Sequence, residues 1–399
     1  MRRERTSDPM FNSYSPPEAR NLRKAKIQPF YAPIVAAPPH GFRGGVVLGN
    51  TVADARLRHS RYGIPVDSFH TDTEEYEIVL GDYIYFGPFY NHFGHTMTEF
   101  IHRAIPSKFL STIEKYILVA TPQHQLESDR QVPQFLKEIF DFLDIPAHSI
   151  KIIFRNSEVE NLFICEQGSD FGGGPKDGYL AYLDAYTNLR LDCLVGAVTP
   201  TLTTYVSRSK TTGGGNFLGE RYVEAQLRDE GIQIFHPQDA SIVEQMQMYR
   251  ASKILIFPEG SACHGIEFFG NNALQECHIL ERRLDHREIF ARIFQGRAKS
   301  TSTLSGAISI SPIIVHPLTR EPLPHTGMAY IPAATLLEYF RSKGIARLHN
   351  FLETEYKAAA LQDFDRHAEL QAKLGADLLN QDEIISIRKR IILEIFDIK

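Results

Sequence analysis

KILIFPEGSACHGIEFFG, Lys253 to Gly270, is the stretch around which the chain is organised. Ile254, Leu255, Ile256 and Phe257 form a short apolar run of the kind found in strands buried on both faces, and Pro258 stops it. Gly260 lets the backbone approach a ligand closely. Ser261 is a good N-cap for a helix whose Ala262, Ile266 and Phe269 share one face. A helix that opens at the carboxyl end of a parallel strand presents unpaired N–H groups and a positive dipole end, which suits an anion. The expectation is phosphate recognition at Gly260 and Ser261.

On the N-terminal side the same rhythm repeats. TYVSRS reads as a strand, Leu218 to Arg228 as a helix, IQIFHP as a strand and Ser241 to Ala251 as a helix. LQECHILE then reads as a strand and His286 to Phe294 as a helix. Repeated βα units of this length predict a small Rossmann-like domain over 197–297, with ligands outside the carboxyl ends of its strands. Arg208 follows TYVS at that edge, where a planar guanidinium suits a diphosphate, and Lys210 is a weaker helper. The loop Thr211 to Phe217 carries three glycines and matches neither a Walker loop nor the dinucleotide fingerprint. Glu259 and Glu267 lie eight apart around the turn, a spacing that resembles the one some nucleotide-sugar transferases use for sugar and ribose contacts, and His264 lies close enough to matter.

Upstream, residues 27–196 read as a first α/β domain, after a polar tail over 1–26. Tyr76 to Phe86 reads as strands or a hairpin around Gly81. From Gly94 the period turns helical, with Met97, Phe100, Ile101 and Ala104 on one side and His95, Glu99, His102 and Arg103 on the other. His95 and Glu99 are four apart and share a face, so the carboxylate can fix the imidazole tautomer. Either of the two can take a proton from a sugar hydroxyl. Asn91, His92 and His95 sit directly after a strand end, where substrates collect. KYILVATP, SIKIIFRN and VENLFICEQG read as strands, and QVPQFLKEIFDFLDIP and Pro175 to Leu194 as helices. GSDFGGGPKDGY between them reads as a flexible loop. Beyond Gly296 the chain is extended and then mostly helical from Pro332. Ile384, Ile387, Ile391, Ile395 and Ile398 form a stripe that packs on the body or forms a homo-oligomer.

The chain has 399 residues, 43% of them hydrophobic and 23% charged, with a formal net charge of −5. That length accommodates two domains and an extension. No segment accumulates lysine and arginine, so no nucleic-acid footprint is expected. Cys165, Cys193, Cys263 and Cys277 form neither a CxxC pair nor a zinc spacing, and free thiols fit a cytoplasmic address. No apolar run reaches membrane-spanning length, and the basic N-terminus lacks the apolar core of a secretory signal. An Asp-x-Asp after an apolar strand and a GxSxG elbow are both absent.

In order, HFGHTMTEFIHRA, YVSRS, GERYVEAQL and GIQIFHPQDASIVEQMQMYRASKILIFPEGSACHG resemble glycosyltransferase family 61 in its bacterial branch. The resemblance covers Tyr76 to Leu280. It implies two Rossmann-like domains of GT-B type facing a cleft, a nucleotide-sugar donor (UDP-linked as the first expectation), a glycan acceptor, inversion, no metal and no other cofactor. It places Arg208, Glu220, Gln245, Gly260 and Ser261 on the donor side and His95, Glu99 and Arg103 on the facing side. Many members carry His-Gly-Ala where this chain has Glu259-Gly260-Ser261, and Asn-Glu where it has Gly219-Glu220. Glu259 either touches the sugar or shapes the turn. A bacterial surface polysaccharide is the implied product. The alternatives are a non-catalytic nucleotide-sugar-binding or scaffold protein and a nucleotide-sugar hydrolase or epimerase.

Overall fold

A computed structural model describes residues 18–33, 42–68, 75–121, 132–211, 213, 215–283 and 287–396. The architecture is mixed α/β and rests on two main sheets. Among the described residues the first has seven strands, in the order Asp67–Ser68, Phe42–Val46, Ala19–Pro33, Ser157–Cys165, Glu77–Phe89, Tyr116–Ala120 and Ile150–Ile153. The last four run parallel, while Ala19–Pro33 pairs antiparallel with both of its neighbours. The second sheet has, among the described residues, five strands in the order Gln233–Phe235, Leu202–Val206, Ser252–Pro258, Leu274–Leu280 and Ala298–Leu304, all parallel.

Side chains of the second sheet alternate between two cores. Val206, Leu255, Phe257, Cys277 and Ile279 enter one that also takes Ile84, Phe86, Tyr116 and Leu118 from the first sheet. Tyr205, Ile256, Leu280 and Leu304 enter the other, together with Leu336, Phe340, Tyr356 and Phe364 from the C-terminal helices. Burial on both faces explains why KILIF is apolar without alternation.

The C-terminal helices Ala333–Ser342, Glu353–Lys373 and Gln381–Phe396 follow the helical expectation. Ile387, Ile391 and Ile395 are buried in the second core and Ile384 packs on its edge, so the stripe is covered by the chain itself. Ile398 lies outside the described residues. No helix among the described residues is long and apolar enough to cross a membrane.

Several local expectations change. Ala19 to Lys26, read as tail, pair with Ser157–Cys165, while residues 1–17 lie outside the described part. Glu77–Phe89 is one strand rather than a hairpin. Its register slips between Val79 and Asp82 and between Tyr85 and Gly87, and Gly81 (φ +107°) and Gly87 (φ +104°) take up the bulges. The stretch from Gly168 is not a loose loop. Ser169–Asp170 pairs with Gly174–Pro175, and the Asp170 carboxylate accepts from Ser60 Oγ (2.9 Å) and Gly63 N–H (3.2 Å). Gly173 permits this fold, because a Cβ there would lie 2.0 Å from Asp170 Oδ1. The extended chain expected beyond Gly296 begins with Ala298–Leu304, which joins the second sheet as a fifth parallel strand.

Two helices that carry the candidate site also depart from plain α geometry. Phe93–His95 is α, Thr96–Phe100 is π and Ile101–Leu110 is α again. Pro106, inside the last segment, cannot donate to His102 C=O, which instead accepts from Gly168 N–H at 2.8 Å. Ser261–Phe268 is a 3-10 helix rather than an α-helix. Its three-residue turn stacks Ser261, His264 and Glu267 on one side.

Candidate active site

Numbered in chain order, the strands of the second sheet run 2-1-3-4-5, so the order reverses between Leu202–Val206 and Ser252–Pro258. A crevice is expected outside the carboxyl ends of the strands at such a reversal. A cavity of about 780 Å³ lies there. Ser207 and Arg208 leave the first of these strands, Gly260 and Ser261 leave the next, and Arg282 and Arg283 follow Leu274–Leu280. The opposite wall is Phe93, Gly94 and His95, and His92, Gln245, His264, Phe171 and His325 also line the cavity.

Arg208 is buried against the turn. Its guanidinium crosses Gly260 so closely that a Cβ at that position would lie 1.8 Å from its Nη1. Its Nη2 donates to Gly215 C=O (3.3 Å), and its Nε has no hydrogen-bond partner among the described residues. Glu220 supports it from behind: Oε1 accepts from Arg208 N–H (2.8 Å) and from Tyr205 Oη–H (3.2 Å). Glu220 lines a small separate cavity and not the large one. Burial, helped by the nearby Glu224, pushes its carboxyl up to about 7 although the Arg208 N–H pulls it down. Gly219 before it has φ +80°, a left-handed conformation that glycine and asparagine both accept. A Cβ there would meet the Tyr356 ring at 2.4 Å, so here the C-terminal helix occupies the space of a side chain.

Glu259 is buried and shapes the turn. Its Oε2 accepts from the Arg282 and Arg283 N–H groups, both at 2.8 Å, and its Oε1 from Arg283 Nε, also at 2.8 Å. The Arg283 guanidinium is thereby fixed at the cavity beside Arg208, while that of Arg282 donates from Nη1 to Gly327 C=O (2.6 Å). His325 is pushed down by burial and by the charges of Arg283 and Arg282. Gln245 donates from Nε2 to Pro237 C=O (3.0 Å) and Ala240 C=O (3.1 Å), which ties down another turn of the cavity wall. Lys210 is half-exposed outside the cavity, paired with Asp239 at 2.5 Å.

On the opposite wall, His95 Nδ1 and Glu99 Oε1 are 2.8 Å apart. Glu99 is buried beneath His95 and also takes His59 Nε2 (2.5 Å), Arg61 Nη2 (2.8 Å) and the Tyr90 hydroxyl (3.2 Å). Burial pushes this carboxyl up, but Arg61 and the hydrogen bonds from His59 and His95 outweigh it and hold it well below the usual range. An ionised carboxylate only accepts, so His95 Nδ1 carries a proton, and in the neutral ring the lone pair is on Nε2. His92 caps the helix through Nδ1, which accepts from His95 N–H at 3.4 Å. Asn91 is exposed and does not line the cavity. Arg103 is fully buried away from it, holding Leu57 C=O (2.9 Å), Cys165 C=O (2.8 Å) and Arg58 C=O (3.1 Å). Glu138, also in the wall, accepts from Ile242 N–H (3.1 Å) at a helix start.

A second pair has the same design. His264 Nδ1 lies 2.7 Å from Glu267 Oε1, and His102 Nε2 lies 2.8 Å from Glu267 Oε2. Burial pushes Glu267 up, but the hydrogen bonds from His102 and His264 take it down to about 2. Glu267 itself is buried and does not line the cavity. Among the described residues no cluster of three or more histidine, cysteine, aspartate or glutamate side chains is arranged to hold a metal ion.

The sequence reading did not name Arg282, Arg283, His325, Phe171, His59 or Arg61. Arg282 and Arg283 carried a usable signal, since they follow the apolar strand LQECHIL as Arg208 follows TYV. The Glycosyltransferase 61 family model matches residues 93–274, from the His95 helix past the Gly260 turn to the start of Leu274–Leu280. A search among curated proteins returned no match.

Proposed function

We propose that the chain is a glycosyltransferase that moves a sugar from a UDP-linked donor to a glycan hydroxyl by a single inverting displacement without a metal ion. One observation carries this reading: a hydrogen-bonded histidine–carboxylate pair and a three-arginine cradle face each other across one cavity. The likeness of residues 93–274 to glycosyltransferases supports it.

In the proposed reaction the diphosphate lies against Arg208, Arg282 and Arg283 at the Gly260-Ser261 turn. The acceptor hydroxyl gives its proton to His95 Nε2 as its oxygen attacks the anomeric carbon. The bond from that carbon to the diphosphate oxygen breaks, and its electron pair leaves with the diphosphate. Glu99 stays ionised, fixes the tautomer and steadies the imidazolium. The arginines stabilise charge that grows on the leaving group, as a bound metal would in other transferases. In this reading 27–196 is the acceptor side and 197–297 the donor side of a GT-B-like pair, at work in the cytoplasm on a bacterial surface polysaccharide.

The test is a thermal-shift screen of nucleotide sugars followed by transfer assays with the best donor and a glycan panel. A donor that binds and is turned over only when an acceptor is present supports the proposal. Release of free sugar at the same rate without acceptor would make the chain a hydrolase, and binding without turnover on any acceptor would make it a binding protein.

A further inference from the structure

The reaction proposed above needs one base, yet a second histidine–carboxylate pair faces the same cavity. We infer that His264 recognises the sugar ring of the donor, with Phe171 as the surface on which the ring stacks. This inference rests on the donor reading of the site.

His264 stands one 3-10 turn beyond Ser261 on the same side of the helix, about 6 Å further along the axis. That is beyond the diphosphate held at the turn and within reach of the sugar attached to it. Glu267 is ionised and accepts from Nδ1–H, so Nε2 is the ring nitrogen left for a ligand. Gly94 carries no side chain beside the edge that holds Nε2; a Cβ there would come within 3.3 Å of that nitrogen and 2.9 Å of Cδ2 and crowd it. A hydroxyl can donate to or accept from such a nitrogen, as sugar hydroxyls do. The Phe171 ring lies close to both histidines, 5.7 Å from the His95 ring and 6.5 Å from the His264 ring, centre to centre. The hairpin pinned by Asp170 holds it there. A pyranose presents an apolar C–H face that suits an aromatic surface. His95 on one side and His264 on the other then bracket the ring whose anomeric carbon reacts.

Binding measurements by calorimetry test this with UDP, GDP and a panel of their sugars on the full chain. His264→Ala is expected to weaken the nucleotide sugar roughly ten-fold, the size of one lost hydrogen bond, while leaving the free nucleoside diphosphate unchanged. Unchanged diphosphate affinity also shows that the variant folds. His264→Gln, which keeps a polar group near the Nε2 position, is expected to recover part of the loss, and Phe171→Leu to weaken the sugar alone. Equal weakening of diphosphate and nucleotide sugar would place His264 in the phosphate site and overturn the inference, as would no change in either. A wild-type protein that binds no nucleoside diphosphate would overturn the donor reading, and this inference with it.

Discussion

Arg208 Nη1 lies 1.8 Å from the point where any residue other than glycine would carry its Cβ at position 260. Gly260 has φ 164°, an extended conformation open to any residue, so its requirement is steric. Gly260→Ala is expected to displace the guanidinium and weaken nucleoside diphosphate binding at least ten-fold, with little change in melting temperature. Calorimetry with UDP reads the first effect and a thermal melt the second.

Arg283 offers a separable test of the cradle. Replacing it by methionine removes one charge from the cavity, while the Arg282 and residue-283 backbone N–H groups still hold Glu259. A charge-assisted hydrogen bond contributes about 1.5–3 kcal/mol, so the diphosphate affinity should fall roughly ten- to a hundred-fold. An affinity that survives unchanged would place the diphosphate elsewhere.

For His95→Ala the expected loss is in turnover, on the order of 10²- to 10⁴-fold, with donor affinity kept. Glu99→Gln should differ in kind. It removes the negative charge that buried Arg61 pairs with at 2.8 Å, and breaking such a pair costs about 3–5 kcal/mol. The melting temperature should therefore drop for Glu99→Gln and stay nearly unchanged for His95→Ala.

Glu220 supplies a pH dependence. Its carboxyl is raised from an ordinary 4.5 to about 7, so the folded chain keeps this proton where the unfolded chain has lost it. Its favourable contribution is complete below about pH 4.5 and is lost as pH rises through about 7, on the order of 3 kcal/mol. Glu220→Gln does not titrate. Its melting temperature relative to wild type should rise between pH 5 and pH 8, and a constant difference across that range would show that Glu220 is ionised throughout.

Ile391 tests the C-terminal helix. It is buried in the second core, and truncation of a buried isoleucine to alanine costs about 2–5 kcal/mol. Ile391→Ala should lower the denaturation midpoint markedly. A surface stripe would give almost no change.

The βα rhythm was legible because runs such as KILIF and YILV are apolar and rich in β-branched residues, and pairing only confirms what they already favour. AKSTSTL shows the opposite case. Its seven residues are mostly small and polar, only Leu304 among them is buried, and it becomes a strand by pairing with Leu274–Leu280. The glycines at 172–174 suggested a loose loop, but whether a glycine loosens a turn or lets it close on Asp170 depends on what lies opposite.

Position at a strand end was enough to place Arg208, Gly260 and Ser261 at the cavity wall, since the carboxyl edge of a parallel sheet is where crevices open. Glu99, Glu220, Glu259 and Glu267 were equally visible as carboxylates near that edge. Only the tertiary structure decided their roles, by burying all four. A buried carboxylate must be matched by donors or keep its proton. Arg61 and His59, about 40 residues upstream, match Glu99; His102, 165 residues upstream, matches Glu267; and the Arg282-Arg283 backbone matches Glu259. Glu220, with one N–H and one hydroxyl, keeps its proton to about pH 7. The sequence by itself determined the strand ends and the order of the units. The partners that turned Glu99 and Glu267 into supports for His95 and His264 come from distant segments, and folding alone brings those together.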